Sequence, residues 1–230
     1  MTGPSTPLRT GLSADTFALL DDLSSPRDKP WFDANRARYE ASLLGPMRSL
    51  VSAVGPRLQG QITDLECRPQ VNKTLTRINR DMRFARGLSP YKDHMLALFY
   101  REGRKKEDPQ LFVGVQPKAV WVGLYLSPPL LAPGSPMAQA VSDRPGEVVA
   151  LGRALGVGGD LMLGSCSRYG EVEKSMNGEA AGHYLAGPHL CAMRTFTAGE
   201  VAADPAGFVE SATEILGRLV PLWKTYLEGL

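Results

Sequence analysis

The sequence is poor in cysteine and in histidine, with three of each among 230 residues. The cysteines Cys67, Cys166 and Cys191 lie far apart and form no C-x-x-C pair. This spacing argues against a disulfide framework and against a four-thiolate zinc site, and it favours a reducing compartment. We therefore expect a cytoplasmic protein.

Long apolar runs are also missing. No stretch approaches the roughly 18 apolar residues that a membrane-spanning helix needs, so we expect no membrane partner. Residues 1–11 are rich in Pro, Thr and Gly and lack the apolar segment of a secretory signal. We predict a flexible tail over residues 1–11 and a single α+β domain over residues 12–230.

The common catalytic and cofactor motifs are absent as well. The glycines form neither a G-x-G-x-x-G sequence nor a P-loop, and the serines of LGSCSRYG do not stand in a nucleophile elbow. The spacing of His183, His189 and Cys191 matches no familiar zinc pattern. The sequence thus predicts no metal site, and it leaves the cofactor, the reaction and the oligomeric state unknown.

Apolar side chains recur at helical spacing towards both ends of the chain. Residues 12–23 predict a short helix, which Ser24-Ser25-Pro26 ends. Pro30 opens a second helix with an aromatic stripe, and the helical period continues past a kink at Gly45-Pro46 to about residue 59. Asp204-Pro205 opens a last amphipathic helix.

Apolar and polar residues alternate in the middle of the chain. This alternation predicts strands over residues 111–116 and 119–126, paired antiparallel around a short turn. Residues 94–100 predict a third strand or a short helix, and the Gly-rich residues 166–199 show little period. The order of elements predicts an α+β fold with N-terminal helices, a central mostly antiparallel sheet and a C-terminal helix packed on the sheet.

The charges are segregated along the chain, although the net charge is only +2. Residues 68–106 contain eleven Lys and Arg against three acidic residues, which leaves +8. The remainder of the chain carries −6. A basic central segment between acidic flanking segments favours an anionic partner.

The basic segment is most regular in residues 76–95, TRINRDMRFARGLSPYKDHM, which we call the arginine loop. Its arginines stand three residues apart, at Arg77, Arg80, Arg83 and Arg86. Gly87 and Pro90 oppose a long helix in this stretch. We predict a strand over about residues 72–78 that leads into a structured loop.

This loop is predicted to form a pocket for a small anionic ligand. Asp81 is expected to hold two arginines in bidentate pairs and to leave Arg80 or Arg83 directed at a ligand, because the planar guanidinium donates two parallel hydrogen bonds to phosphate or carboxylate. A lysine adds a point charge, and two aromatic rings add an apolar wall. The predicted ligand-binding residues are Arg80, Asp81, Arg83, Phe84, Tyr91 and Lys92.

Other interpretations of the same residues stay open. A network of arginine and aspartate can simply fasten a loop to the fold. Residues 68–106 could instead lie along a nucleic-acid backbone, which we rank second, or the protein could be a non-enzymatic interaction module. If there is catalysis, the scarcity of histidine points to Asp81, Asp93 or Lys92 for proton transfer, with His94 as a further candidate base.

Two segments of the chain resemble a known family. The sequences PWFDANRARYE and RINRDMRFARGLSPYK are similar to signatures of the domain-of-unknown-function 2461 family, and LVPLWKTYLEGL resembles its closing helix. The matching positions are Trp31, Phe32, Asn35, Tyr39, Arg80, Asp81, Arg83, Phe84, Pro90, Tyr91 and Lys92. Met82 departs from the threonine usual in that family. The resemblance supports a role for the arginine loop and implies no reaction.

Overall fold

The computed structural model describes residues 11–83, 87–127, 143–157, 159–166, 172–175 and 190–228, together with a few positions between 130 and 139. Phe84 and Arg86 of the arginine loop lie outside the described residues, as do His183, His189 and residues 1–10 of the predicted tail.

The N-terminal part of the chain is helical. Its elements are α1 (Ala14–Ser24), α2 (Lys29–Ala34), α3 (Arg36–Tyr39), one π-helical turn (Glu40–Leu44) and α4 (Gly45–Gln59). The Asp28 carboxylate accepts a hydrogen bond from the Trp31 amide at 2.9 Å and so caps α2, in which Pro30 occupies the first turn. Pro46 also lies in a first turn, where its missing N–H costs little.

The second half of the fold is built around one antiparallel sheet. Its strands are β1 (Met95–Phe99), β2 (Gln110–Val115), β3 (Ala119–Leu126), β4 (Met162–Cys166), β5 (Val172–Ser175) and β6 (Leu190–Thr197). The strand order is β1-β2-β3-β6-β4-β5. The remaining helices are α5 (Pro145–Ala154), α6 (Ala198–Ala203) and α7 (Pro205–Glu228). The predicted α+β class and the antiparallel sheet are confirmed.

The two faces of this sheet belong to different apolar clusters, because successive side chains of a strand point in opposite directions. On β1, Ala97 and Phe99 join the main core with the helices, whereas Leu96 and Leu98 join a second cluster. That second cluster consists of Leu96, Leu98, Tyr100, Phe112, Trp121, Tyr125, Cys191 and Met193.

The C-terminal helix packs against the main-core face of the sheet. Helix α7 contacts β2, β3 and α4. The indole of Trp223, 2 % exposed, donates a hydrogen bond from Nε1 to the Pro109 carbonyl at 2.7 Å. Because Pro109 immediately precedes β2, this bond joins the helix to the beginning of a central strand. The predicted packing of a C-terminal helix on the sheet is confirmed.

The predicted strand over residues 72–78 does not form as a continuous element. Instead, isolated bridges pair Leu75 with Ala97 and Asn79 with Tyr91 along the outer edge of β1. The Leu75 amide donates a hydrogen bond to the Gln70 carbonyl in a local turn. Within this turn Asn72 has a φ of 68°, in the left-handed region. This turn interrupts the ladder before it reaches strand length.

The cysteines differ from what their spacing suggested. Cys191 in β6 is fully buried and disulfide-bonded, whereas Cys67 is a free thiol. A disulfide therefore exists, although the spacing argued against a disulfide framework. The cytoplasmic location no longer has the cysteine spacing as support, and it stays a prediction. Among the helices that the structure describes, none is long and apolar enough to cross a membrane.

Candidate anion-binding site

The arginine loop closes on a short antiparallel stem. The Arg80 amide donates to the Pro90 carbonyl at 2.7 Å, and the Lys92 amide donates to the Ile78 carbonyl at 2.8 Å. These bonds flank the bridge between Asn79 and Tyr91. The stem therefore holds Arg80 and Lys92 on two paired segments of the backbone, although the two residues are twelve positions apart in the sequence.

Tyr91 anchors this stem to the helices. Its ring is 5 % exposed and stacks on Phe32 of α2, with 4.2 Å between centroids and 9° between planes. Ser89 Oγ lies 3.4 Å from the amide nitrogen of Arg27, which precedes α2, and from that of Tyr91. The two segments that carry the family resemblance thus meet in space. Tyr91 fastens the loop to the core, and its buried ring does not form the predicted wall of a pocket.

Asp81 holds one arginine where the sequence analysis expected two. Its carboxylate accepts from Arg83 Nε at 3.0 Å, from Arg83 Nη2 at 2.6 Å and from the Arg83 amide at 3.2 Å. The hydrogen bonds from Arg83 keep the pKa of the Asp81 carboxyl below its usual range. Arg80 instead donates from Nε to the Ser89 carbonyl at 3.1 Å.

Lys92 lies among other cations. Its Nζ donates to the Arg77 carbonyl at 3.1 Å, and the side chain is partly buried. Burial lowers the pKa of this amine, and the charges of Arg77, Arg80 and Lys105 lower it further. Within the described part of the chain, Lys92 forms no ion pair with a carboxylate.

A second cation of this region is Arg77, whose charge helps to lower the pKa of the Asp81 carboxyl. It is exposed, and among the described residues it forms no ion pair. Lys105 lies in the hairpin between β1 and β2, with Nζ 5.6 Å from the centroid of the Tyr100 ring, and its charge contributes to the lowered pKa of Lys92. We call Arg77, Arg80, Lys92 and Lys105 the cationic cluster.

Neighbouring arginines of the basic segment are neutralised. Arg68 pairs with the buried Glu66 and, at 2.5 Å, with Glu102. Arg101 pairs with Asp108 at 2.7 Å, and Arg104 pairs with Glu107 at 2.8 Å. Among the described residues, the cations of this segment that form no ion pair are therefore Lys73, Arg77, Lys92, Lys105 and Lys106.

A histidine and an aspartate border this cluster. His94 Nδ1 lies 3.0 Å from Asp93 Oδ1, and the same oxygen lies 4.0 Å from Arg80 Nη2. The hydrogen bond with His94, followed by the charges of His94 and Arg80, lowers the pKa of Asp93. A carboxylate that holds one imidazole nitrogen leaves the other nitrogen available for proton transfer.

A cleft of about 560 Å³ opens beside Pro90, but its charged groups are already paired. Arg27 lies over the Trp31 ring at 4.7 Å and bonds to the Asp22 carbonyl, and Lys29 pairs with Asp33. This cleft consequently has less capacity for an anion than the cationic cluster. In the described ranges, no group of three or more His, Cys, Asp or Glu side chains is placed to hold a metal ion.

The structure divides the predicted site residues. Arg80 and Lys92 belong to the cationic cluster, Asp81 and Arg83 form an ion pair in the loop, Tyr91 is buried, and Phe84 lies outside the described residues. The predicted list omitted Arg77 and Lys105. Arg77 was visible in the three-residue spacing, whereas Lys105 carried no local signal because only the hairpin brings it near Lys92.

Removal of the Lys92 charge is expected to stabilise the protein. Because the pKa of this amine is lowered in the folded state, the unfolded chain binds more protons between that pKa and the ordinary value of 10.5. Stability should therefore rise with pH through this window in the wild type. In anion-free buffer at pH 7, Lys92→Met should raise the Tm by about 2–4 °C, which corresponds to about 1 kcal/mol in a chain of this size.

The measurement is thermal unfolding at pH 7 and again near the ordinary lysine pKa, with Lys118→Met, a change at an exposed lysine, as the control. The gain from Lys92→Met should shrink at the higher pH, and the control should change little at either. A Tm lowered by Lys92→Met at pH 7 would show that the bond to Arg77 outweighs the charge repulsion.

A comparison with protein families matches the chain to one family. The family described as conserved hypothetical protein (DUF2461) matches residues 15–144, which include α1 to α4, the arginine loop and β1 to β3. A search of curated proteins found no match. The matched range covers more than half of the chain and contains the whole cationic cluster. The chain therefore belongs to the DUF2461 family, as the two resembling segments predicted.

Proposed function

We propose that the protein binds a small ligand carrying a phosphate or carboxylate group at Arg77, Arg80 and Lys92. The observation that carries this proposal is that Lys92, a half-buried lysine, has cations as the charged neighbours that shift its pKa and no carboxylate partner among the described residues. A desolvated charge without a counter-ion costs free energy, and a bound anion would offset that cost.

Three side chains would supply donors to a ligand in this site. The Lys92 ammonium uses one of its three N–H groups for the Arg77 carbonyl, which leaves two donors for a ligand. The bond from Arg80 to Ser89 fixes the base of its guanidinium, so that little side-chain entropy is lost on binding. Arg77 is exposed and free to close over a bound anion.

The test is titration calorimetry with inorganic phosphate and with citrate on the wild type, Arg77→Gln and Lys92→Gln. Each substitution should weaken the better-bound anion by about tenfold or more, because a hydrogen bond to a charged group contributes about 1.5–3 kcal/mol. Arg104→Gln is the matched control, since Arg104 already pairs with Glu107. Equal affinity in all four proteins would refute the proposal.

The same experiment separates this proposal from the nucleic-acid alternative. A short single-stranded oligonucleotide in place of phosphate should bind weakly, and its binding should disappear with added salt. If oligonucleotide affinity falls steeply with salt, and if Arg77→Gln and Arg104→Gln reduce that affinity equally, a nucleic-acid surface would be favoured.

We further propose that Asp93 and His94 exchange a proton with the bound ligand, since His94 lies beside Arg80 through Asp93. Hydrolysis of a phosphate monoester requires such a transfer, because the attacking water loses a proton and the departing alcohol gains one. Phosphate monoesters therefore join the panel, with release of inorganic phosphate as the readout. Turnover that persists in His94→Gln would exclude this role, whereas loss of turnover with unchanged ligand affinity would support it.

A further inference from the structure

We infer that a cavity between strand β6 and helices α6 and α7 binds a small zwitterion of the free amino acid type. Arg194 binds the carboxylate of this ligand, and Asp204 and Glu200 bind its ammonium group. The cavity has a volume of about 290 Å³, and these three residues line it together with Val201, Phe208 and Ser211. It lies outside residues 15–144, which match the family, and the inference does not depend on the proposed anion site.

Arg194 lies on the face of β6 that packs against the helices. Because side chains alternate along a strand, Arg194 shares this face with Ala192 and Phe196, which belong to the main core or pack against it. Its guanidinium lies over the Phe196 ring, 4.8 Å from the centroid, in a favourable cation–π arrangement. Among the described residues it forms no ion pair. The ring therefore positions a cation whose hydrogen-bond donors remain for an anionic group.

The Asp204 carboxylate is fixed through one of its oxygens. Oδ1 accepts a hydrogen bond from the Gly207 amide at 2.9 Å, and Oδ2 accepts none among the described residues. The missing side chain of Gly207 makes room for this carboxylate, since a Cβ there would lie 2.1 Å from Asp204 Oδ2. Asp204 pairs with no cation in the described part of the chain. Its second oxygen can therefore accept from an ammonium group in the cavity.

Glu200 is held in a similar way at the other helix. Its Oε2 accepts from the Thr197 amide at 2.8 Å and from the Thr197 hydroxyl at 2.7 Å, while Oε1 accepts no hydrogen bond within the described ranges. The bonds from Thr197 keep the pKa of the Glu200 carboxyl below its usual range, and the charge of Arg194 contributes. Glu200 is therefore an anion at neutral pH, with one oxygen for a ligand.

The three charged groups line one cavity without pairing with each other. Elsewhere on α7 opposite charges do pair, as Glu210 with Arg57 at 2.6 Å and Arg218 with Asp160 at 2.6 Å. A ligand with a single charge would gain from one side of this cavity and be repelled by the other. A ligand with linked positive and negative groups matches both sides, which is why we choose a zwitterion.

The walls and the size of the cavity indicate what else the ligand carries. Val201 and Phe208 are buried apolar residues, and the Phe208 ring packs edge-on against Phe196 with 5.3 Å between centroids. Pockets for drug-sized ligands have volumes of about 300–1,000 Å³, so this cavity suits a molecule smaller than most of these. An amino acid with an apolar side chain meets the charged groups and places that side chain against these walls.

The test is titration calorimetry of the wild type with L-leucine, L-methionine and L-phenylalanine, followed by the best-bound of these on Arg194→Gln and Asp204→Asn. Each substitution should weaken binding about tenfold, because it removes a hydrogen bond between charged groups. Asparagine keeps an oxygen that can accept from the Gly207 amide, so the start of α7 should persist. Lys224→Gln and Glu214→Gln, at exposed positions of the same helix, are the matched controls and should stay within about twofold.

Modified ligands test the same contacts without changing the protein. The methyl ester of the best-bound amino acid lacks the negative charge, and its N-acetyl derivative lacks the positive charge. Each should bind the wild type about tenfold more weakly than the parent. The penalty for the ester should disappear in Arg194→Gln, and the penalty for the N-acetyl derivative should shrink in Asp204→Asn, because the partner of the missing group is already absent.

Three results would overturn the inference. These are no binding of any of the three amino acids to the wild type, an ester that binds as tightly as its parent, and equal losses in the site variants and the controls. The proposed function is judged separately, since Arg194→Gln should leave phosphate binding at Arg77 and Lys92 unchanged.

Discussion

Replacement of Asp108 with alanine is expected to lower the free energy of unfolding by about 3–5 kcal/mol, the usual cost of removing one partner from a buried ion pair. The Asp108 side chain is fully buried and accepts three hydrogen bonds from Arg101, from the amide at 2.9 Å, from Nε at 2.9 Å and from Nη2 at 2.7 Å. Its loss leaves a guanidinium and a backbone N–H without their acceptor at the base of the hairpin.

The measurement is the free energy of unfolding in urea, compared between Asp108→Ala and the control Glu107→Ala. Glu107 is 60 % exposed and pairs with Arg104 on the surface, so its removal should change stability by less than about 1 kcal/mol. A difference between the two variants within experimental error would mean that Arg101 finds another partner.

Substitution of Gly123 by alanine is the second change with a large expected effect, a loss of about 2–4 kcal/mol by overpacking. Gly123 lies in β3 opposite Met193 of β6. An added Cβ would overlap the Ala192 carbonyl oxygen and lie 2.6 Å from Met193 Cβ and 2.7 Å from Met193 Cα. Since backbone atoms form most of this obstacle, two central strands would have to separate.

Gly199→Ala in α6 is the matched control for this substitution. A Cβ at Gly199 meets no atom within 4 Å, and alanine favours helix over glycine by up to about 1 kcal/mol. Thermal and urea unfolding should therefore show Gly123→Ala strongly destabilised and Gly199→Ala unchanged or slightly more stable. A wild-type midpoint for Gly123→Ala would indicate that β6 shifts without cost.

Strands β2 and β3 were predictable because each carries its own alternating pattern and a short turn joins them. Strand β6 was not predicted from its sequence, LCAMRTFT, which follows a Gly-rich segment and contains few strong strand formers. Its pairing with β3 and β4 is supplied by residues distant along the chain. Tertiary contacts outweigh local propensity in such a strand.

The role of Tyr91 was likewise not predictable from its neighbours in the sequence. Beside Pro90 and Lys92, a tyrosine is a reasonable wall for a ligand pocket. The structure places its ring on Phe32, a residue from the N-terminal helices, and thereby uses it to hold the arginine loop. No local pattern in the loop distinguishes these two roles, because the partner comes from another part of the chain.

The sequence by itself determined the α+β class, the family, and the segment in which the positive charge accumulates, because hydrophobic period, motif and composition are all local properties. Only the tertiary structure decided which cations keep a counter-ion. Arg101 pairs with Asp108 across a hairpin, Asp81 pairs with Arg83, and Lys92 has no carboxylate partner among the described residues. Electrostatic interactions depend on distance in space and on burial, and the order of residues specifies neither until the chain has folded.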